Sequence, residues 1–318
     1  MAACMLAFCL QGCADLLATQ SRAVMAHPPA GMAPVAELRD VPFFPQTENQ
    51  CGPAALATAM GAVGVQVPPQ ALESAVFLPA RQGSLQIEML AAARRHELVA
   101  TRIGSDLPSL LREVAAGHAP VVLLNLGLSV QPLWHYAVVV GYDLRAGEAV
   151  LRSGTTERQI LPLSTLEFSW ARSGNWAFVV LPPGQLPTTS DEAAITEALL
   201  AFERVAPASK AAQAYAPALA KWPDSLLLGL GLANSLYAAG QTDLAGQEYQ
   251  RVLQKHDSAA AWNNWATLLS ERGEWRAAHD AAMRAVSRAR AAEPEWLTAA
   301  QATLADIQAK QPAGASVR

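Results

Sequence analysis

Between Pro120 and Leu181 the chain carries five short runs of β-branched and aromatic residues, at Pro120–Leu126, His135–Tyr142, Ala149–Arg152, Arg158–Leu161 and Trp176–Leu181. Each has strand length, and glycine-containing turns such as Arg145-Ala146-Gly147 separate them. Parallel neighbours need a long crossover, so short links favour antiparallel pairing. The stretch before this sheet has a helical period instead. Ala54 to Val63 is a run of good helix formers, and Pro69–Phe77 and Leu85–Leu98 also read as helices, the latter with Leu85, Ile87, Leu90 and Ala91 near helical spacing. Leu107–Ala116 sets Leu110, Leu111 and Val114 on one face and stops at Gly117. Helices first and a sheet afterwards predict an α+β domain.

Two residues at the joints of this plan carry chemistry. Pro42 and Pro45 keep the chain extended up to Gln50-Cys51-Gly52-Pro53, so Cys51 falls in the first turn of a helix. Free backbone N–H groups and the helix dipole there favour an anion, which predicts a lowered thiol pKa and a nucleophilic thiolate. Gly52 is expected to leave room for a substrate backbone. His135 opens a β-branched strand, where an imidazole can serve as base. His96, His118, His256 and His279 have no metal-ligand spacing, and no Gly-rich phosphate loop occurs, so neither a metal nor a cofactor is expected.

With 318 residues the chain is long enough for two domains, and a net charge of −4 without a basic cluster excludes nucleic acid as a partner. The first thirteen residues, MAACMLAFCLQGC, are apolar but too short to span a bilayer, and read as a secretory signal. Leu10-Gln11-Gly12-Cys13 resembles the bacterial lipobox, which implies lipidation of Cys13 and a membrane anchor that does not span. Of Cys4, Cys9, Cys13 and Cys51, cleavage and acylation leave Cys51 without a partner, as suits a reactive thiol in an exported protein. Residues 13–39, rich in Ala and Pro, read as a tether, residues 40–183 as the α+β domain, and residues 184–191 as a linker.

Residues 192–312 are helical and repeat. Gly240 and Gly273 are 33 apart, as are Ala245 and Ala278, while Ala211 and Tyr215 recur at 34 as Ala245 and Tyr249. That period fits tetratricopeptide helix pairs, with two repeats at about 224–255 and 257–288, a degenerate one before them and a capping helix near 294–310. Such an array stacks into a scaffold with a concave surface suited to a peptide or protein partner, or serves as a rigid spacer.

Val41-Pro42-Phe43-Phe44-Pro45-Gln46, the Cys51-Gly52-Pro53-Ala54-Ala55-Leu56 helix start and the His135-Tyr136-Ala137-Val138-Val139-Val140-Gly141-Tyr142-Asp143 strand resemble papain-like cysteine peptidases that process double-glycine leaders of bacteriocins. More narrowly, the chain is similar to an exported bacterial branch in which such a domain is followed by tetratricopeptide repeats. It implies Cys51 as nucleophile, His135 as base and then acid, and an amide before the cysteine as oxyanion donor, for which Gln46 fits better than the adjacent Gln50. The family's third member, an aspartate about eighteen residues after the histidine, falls here on Ser153. Glu157 is the alternative, whereas Asp143, eight residues along the same strand, would lie roughly 26 Å away at about 3.3 Å per residue. The sequence thus predicts an exported, lipid-anchored cysteine peptidase of the cell envelope, facing the periplasm. Acyl transfer on the same thioester, or a non-catalytic peptide-docking module, stays open.

Overall fold

The computed structural model describes residues 18–46, 50–81 and 83–311. The chain divides into two compact units, one ending at Val205 and one beginning at Ala206. The signal segment and Cys13 lie outside the described residues.

The first unit runs α1 (Thr19–Ala26), β1 (Val35–Glu37), α2 (Cys51–Ala62), α3 (Pro69–Val76), β2 (Phe77–Leu78), β3 (Gly83–Ser84), α4 (Gln86–Arg95), β4 (Val99–Arg102), α5 (Leu107–Ala115), β5 (Val121–Asn125), β6 (Trp134–Asp143), β7 (Glu148–Ser153), β8 (Thr156–Pro162), α6 (Leu163–Ala171), β9 (Ala177–Leu181) and α7 (Glu192–Glu203). The main sheet has the order β4-β9-β5-β6-β7-β8, with β1 added beside the distal half of β6, and every pair is antiparallel. The α+β layout read from the sequence is the observed one.

Both faces of this sheet are buried. Tyr136, Val138 and Val140 face one core with Leu56 and Met60 of α2, and Ala137 and Val139 face another with Leu110 of α5 and Leu166 of α6. Helix α2 is buried from Gly52 to Met60 with no polar stripe, as its Ala-rich, charge-free sequence requires. Helix α5 starts where Asp106 Oδ1 accepts from Ser109 N at 2.8 Å and ends at Gly117, φ +91°.

Three expectations need correction. Residues from 18 onward are not a tether. Ala18, Ser21 and Val24 are buried, and the Glu167 carboxylate of α6 accepts from Gln20 N, Ser21 N and Ser21 Oγ at 3.0, 2.7 and 2.6 Å. In return Gln20 Oε1 accepts from Leu107 N at 2.7 Å, capping α5, and β1 pairs with β6. Residues 184–191 are likewise no free linker. Buried Glu113 accepts from Thr188 N, Thr189 N and Thr189 Oγ1 at 3.2, 2.7 and 2.7 Å, and Ser190 Oγ donates to Arg102 O at 2.7 Å. Helix α7, expected to open the repeats, belongs to this first unit and buries Ile195, Ala198, Leu199 and Phe202.

The second unit contains α8 (Ala208–Lys221), α9 (Leu226–Ala238), α10 (Thr242–Lys255), α11 (Ala259–Glu271), α12 (Trp275–Ala292) and α13 (Leu297–Lys310). The pairs α9/α10 and α11/α12 turn at Gly240 and Gly273, both at φ +75°, and the equivalent Ala245 and Ala278 are fully buried where helices cross. A Cβ on Gly231 would stand 2.3 Å from the Tyr215 ring, so glycine lets α9 approach α8. These are tetratricopeptide-type helix pairs with a capping helix, as the period predicts. Among the described residues no helix is long and apolar enough to cross a membrane.

Glu113 generates a stability prediction. Burial alone would raise its pKa, but hydrogen bonds from His118 and from Thr188 and Thr189 outweigh that and hold it below the ordinary 4.5. Its contribution is therefore complete above pH 4.5 and is lost as the pH falls through the lower folded value. Glu113→Ala is expected to cost about 3–5 kcal/mol at neutral pH. In urea melts the gap to the wild type should narrow as the pH drops below 4.5.

Candidate active site

Cys51 is the first residue of α2, half-buried, and free. Its side chain packs against the core that holds Tyr136, the residue after His135, and the backbone N–H groups of Tyr136 and Gly52 favour its thiolate. The cysteine and histidine motifs, eighty-four positions apart in sequence, thus meet where the helix start abuts the beginning of β6.

His135 stands half-buried on β6 with its Nε2 2.9 Å from Ser153 Oγ. The two share a face because β6 and β7 pair antiparallel with Val138 opposite Arg152, which sets Ser153 diagonally across from His135. With the proton on Nε2, donated to the hydroxyl, Nδ1 keeps its lone pair and is available as a base. Glu157, the alternative partner, is exposed on β8, two strands away at about 4.8 Å per strand. Its carbonyl accepts from Arg152 Nη1 at 2.7 Å, and the imidazole's partner is the Ser153 hydroxyl. Asp143 sits at the far end of β6, where its carboxylate accepts from the Arg145 and Ala146 N–H groups.

The segment before the cysteine reaches the same place. Gln46 N donates to Gly154 O at 3.0 Å, which sets Gln46 beside the turn that follows Ser153. Gln50 directly precedes the helix, and its carbonyl accepts from Ala54 N. Ser153 thus touches the His135 ring and Gln46 lies beside the turn after Ser153, while Cys51 packs on the core that includes Tyr136.

Two expectations about the cysteine change in the folded chain. Burial of the thiol raises its pKa above the ordinary 9.0, outweighing the backbone N–H groups that pull it down. Burial also lowers the His135 pKa below 6.5, so the pair rests as neutral thiol and neutral imidazole. The space over Gly52 is filled by the protein itself. A Cβ there would lie 2.1 Å from Ser84 Oγ, so glycine at position 52 admits the β2–β3 hairpin, not a substrate backbone. That hairpin is tied to the strand by Tyr136 OH donating to Ser84 O at 3.2 Å.

Beside His135 opens a cleft of ≈ 520 Å³, walled by Leu124, Leu161 and Ser153 of the sheet and by Thr165 and Phe168 of α6. The sequence reading omitted α6, although Leu163, Leu166 and Trp170, all fully buried, recur at helical spacing and would have revealed it. Among the described residues no group of three or more His, Cys, Asp or Glu could hold a metal.

In comparisons with known proteins, residues 38–178 match the Peptidase_C39 like family. No curated protein matches the chain. Solved structures that resemble it include the peptidase domain of Streptococcus ComA, a bi-functional ABC transporter, at 19% identity over 45% of this chain and 98% of that one, TM-score 0.38. A double glycine motif protease from an AMS/PCAT transporter, in complex with its leader peptide, matches at 19% over 46% and 94%, TM-score 0.35. The Sgt2 TPR domain from Aspergillus fumigatus matches at 16% over 41% and 90%, TM-score 0.35. At these scores the structural likenesses carry no inference about activity.

The raised thiol pKa predicts that iodoacetamide alkylates Cys51 more slowly at pH 7 than it does a free thiol, with a rate still rising above pH 9. Ser153→Asp, which would place a charge at the imidazole, should move that rise to lower pH. A wild-type rate already flat at neutral pH would reveal a preformed ion pair instead. The segment from Leu38 to Phe178, which holds Cys51, His135 and Ser153, is thus similar to the Peptidase_C39 like family.

Proposed function

We propose that this protein is a cysteine peptidase that hydrolyses peptide bonds through a thioester on Cys51. The observation that supports the reading is that Cys51 packs on the core containing Tyr136, the residue after His135, whose imidazole is held by Ser153. His135 Nδ1 takes the thiol proton as sulfur adds to the scissile carbonyl. The carbonyl oxygen becomes an oxyanion, for which the Gln46 amide and the Cys51 N–H at the helix start are the donors. Collapse breaks the C–N bond, the imidazolium gives its proton to the leaving amine, and the acyl group remains on sulfur. Water then adds to the thioester, losing its proton to His135. The second collapse releases the acid and returns the thiol.

A serine hydroxyl orients the ring without supplying charge, and the resting pair is neutral, so the proton moves only as the attack occurs. This supports a dyad helped by a positioning hydroxyl. In the same proposal the second unit recruits a peptide or protein partner through its helix pairs. A lipid at Cys13 would anchor the exported protein to a membrane of the cell envelope.

Incubation of the full chain with a random peptide library, read by mass spectrometry, tests the reading. Cys51→Ala should abolish cleavage, and Ser153→Ala should lower the rate about 10-fold with little change in KM. Equal cleavage by Cys51→Ala and the wild type would exclude hydrolysis by this thiol.

A further inference from the structure

The cleft beside His135 is deeper than a glycine-only peptide needs. Leu124, Leu126, Leu161 and Phe168 line it, and hydrocarbon makes most of the wall. Of the polar groups that line it, Ser153, Ser169 and Arg172 are engaged within the protein, and Gln159 and Thr165 complete the set. Ser153 Oγ is engaged by His135, Ser169 Oγ donates to Thr165 O and Leu166 O, and Arg172 donates through Nε and Nη2 to Asn125 O at 3.2 and 2.7 Å. An occupant therefore gains by filling space with carbon, not by offering hydrogen bonds. His135 and Ser153 stand in the wall, so an occupant of the cleft lies beside the imidazole that serves as base in the proposed reaction.

Resting on the peptidase reading above, we propose that this cleft seats a bulky apolar side chain flanking the scissile bond. The preferred peptide then carries leucine, isoleucine, methionine or phenylalanine there and not glycine. A glycine would leave about 520 Å³ of hydrocarbon-lined space to water. Each buried methylene is worth roughly 4-fold in affinity, so a leucine side chain is expected to gain at least ~10-fold over none.

The test is a cleavage profile of the full chain on a peptide library randomised across the cut. Wild type, Thr165→Trp and Leu126→Trp are compared, with circular dichroism as the check on folding. Both substituted side chains are exposed at the cleft, so an indole at either site should narrow it without disturbing the core. The expected result is at least ~10-fold enrichment of large apolar residues over glycine on one side of the wild-type cut, contracting toward alanine and glycine in a folded variant. Glycine cut as readily as leucine, or an apolar preference untouched in both variants, would overturn the inference while leaving the peptidase reading intact. No cleavage by the wild type, or cleavage equal to that of Cys51→Ala, would instead overturn the peptidase reading, and this inference with it.

Discussion

The register of β6 against β7 is the constraint on which the site depends. Side chains alternate along a strand, so a slip of one residue would carry His135 to the opposite face and away from Ser153. Burial on both faces forbids the slip, because Tyr136 and Val138 belong to the core under α2 while Ala137 and Val139 belong to the core under α5 and α6. Farther along, the pairing shifts between Val139 and Gly141, and Tyr142 joins the α5/α6 core. This bulge lets one long strand satisfy two differently shaped cores. A second shift, between Leu151 and Ser153 in the β7/β8 pairing, lies beside the imidazole's partner.

Burial has a chemical as well as a mechanical effect. The same packing that fixes Cys51 and His135 removes water from both, and loss of water favours the uncharged form of each. A helix start offers N–H groups to a thiolate, yet here the desolvation is larger. The Glu113 carboxylate shows the opposite balance. Glu113 gathers enough donors to stay charged while fully buried, and through them fastens the chain that leads into α7. Glu167 fastens α1 to the helix that lines the cleft by accepting from Gln20 and Ser21, so the site's outer wall and α1 are held by one side chain.

Much of this was legible in the sequence because the signals were local. The five strands and α5 announced themselves by period and turn, and the family resemblance, not any local signal, pointed to the position of Ser153. What stayed hidden depended on partners far along the chain. Thr19–Ala26 has little periodicity of its own and is ordered by Glu167, some 146 residues away. Pro183–Ser190 reads as a linker until Glu113 is placed beneath it. The four-residue strand Val99–Arg102 was too short to stand out, and pairs with Leu181 to Phe178 only once the sheet exists. The thiol's pKa was misjudged for the same reason, since dipole and N–H groups are visible in a sequence but the depth of packing around a sulfur is not.

The seating of Ser84 on Gly52 ties two sites that no motif joins. Among the described residues the buried Ser84 hydroxyl has no hydrogen-bond partner, and a Cβ on residue 52 would displace it. Position 84 therefore tolerates little beyond serine's size as long as 52 is glycine. In the descendants of this sequence, the two positions should vary as a pair: any gain of bulk on the nucleophile's helix would have to be matched by a retreat of the hairpin.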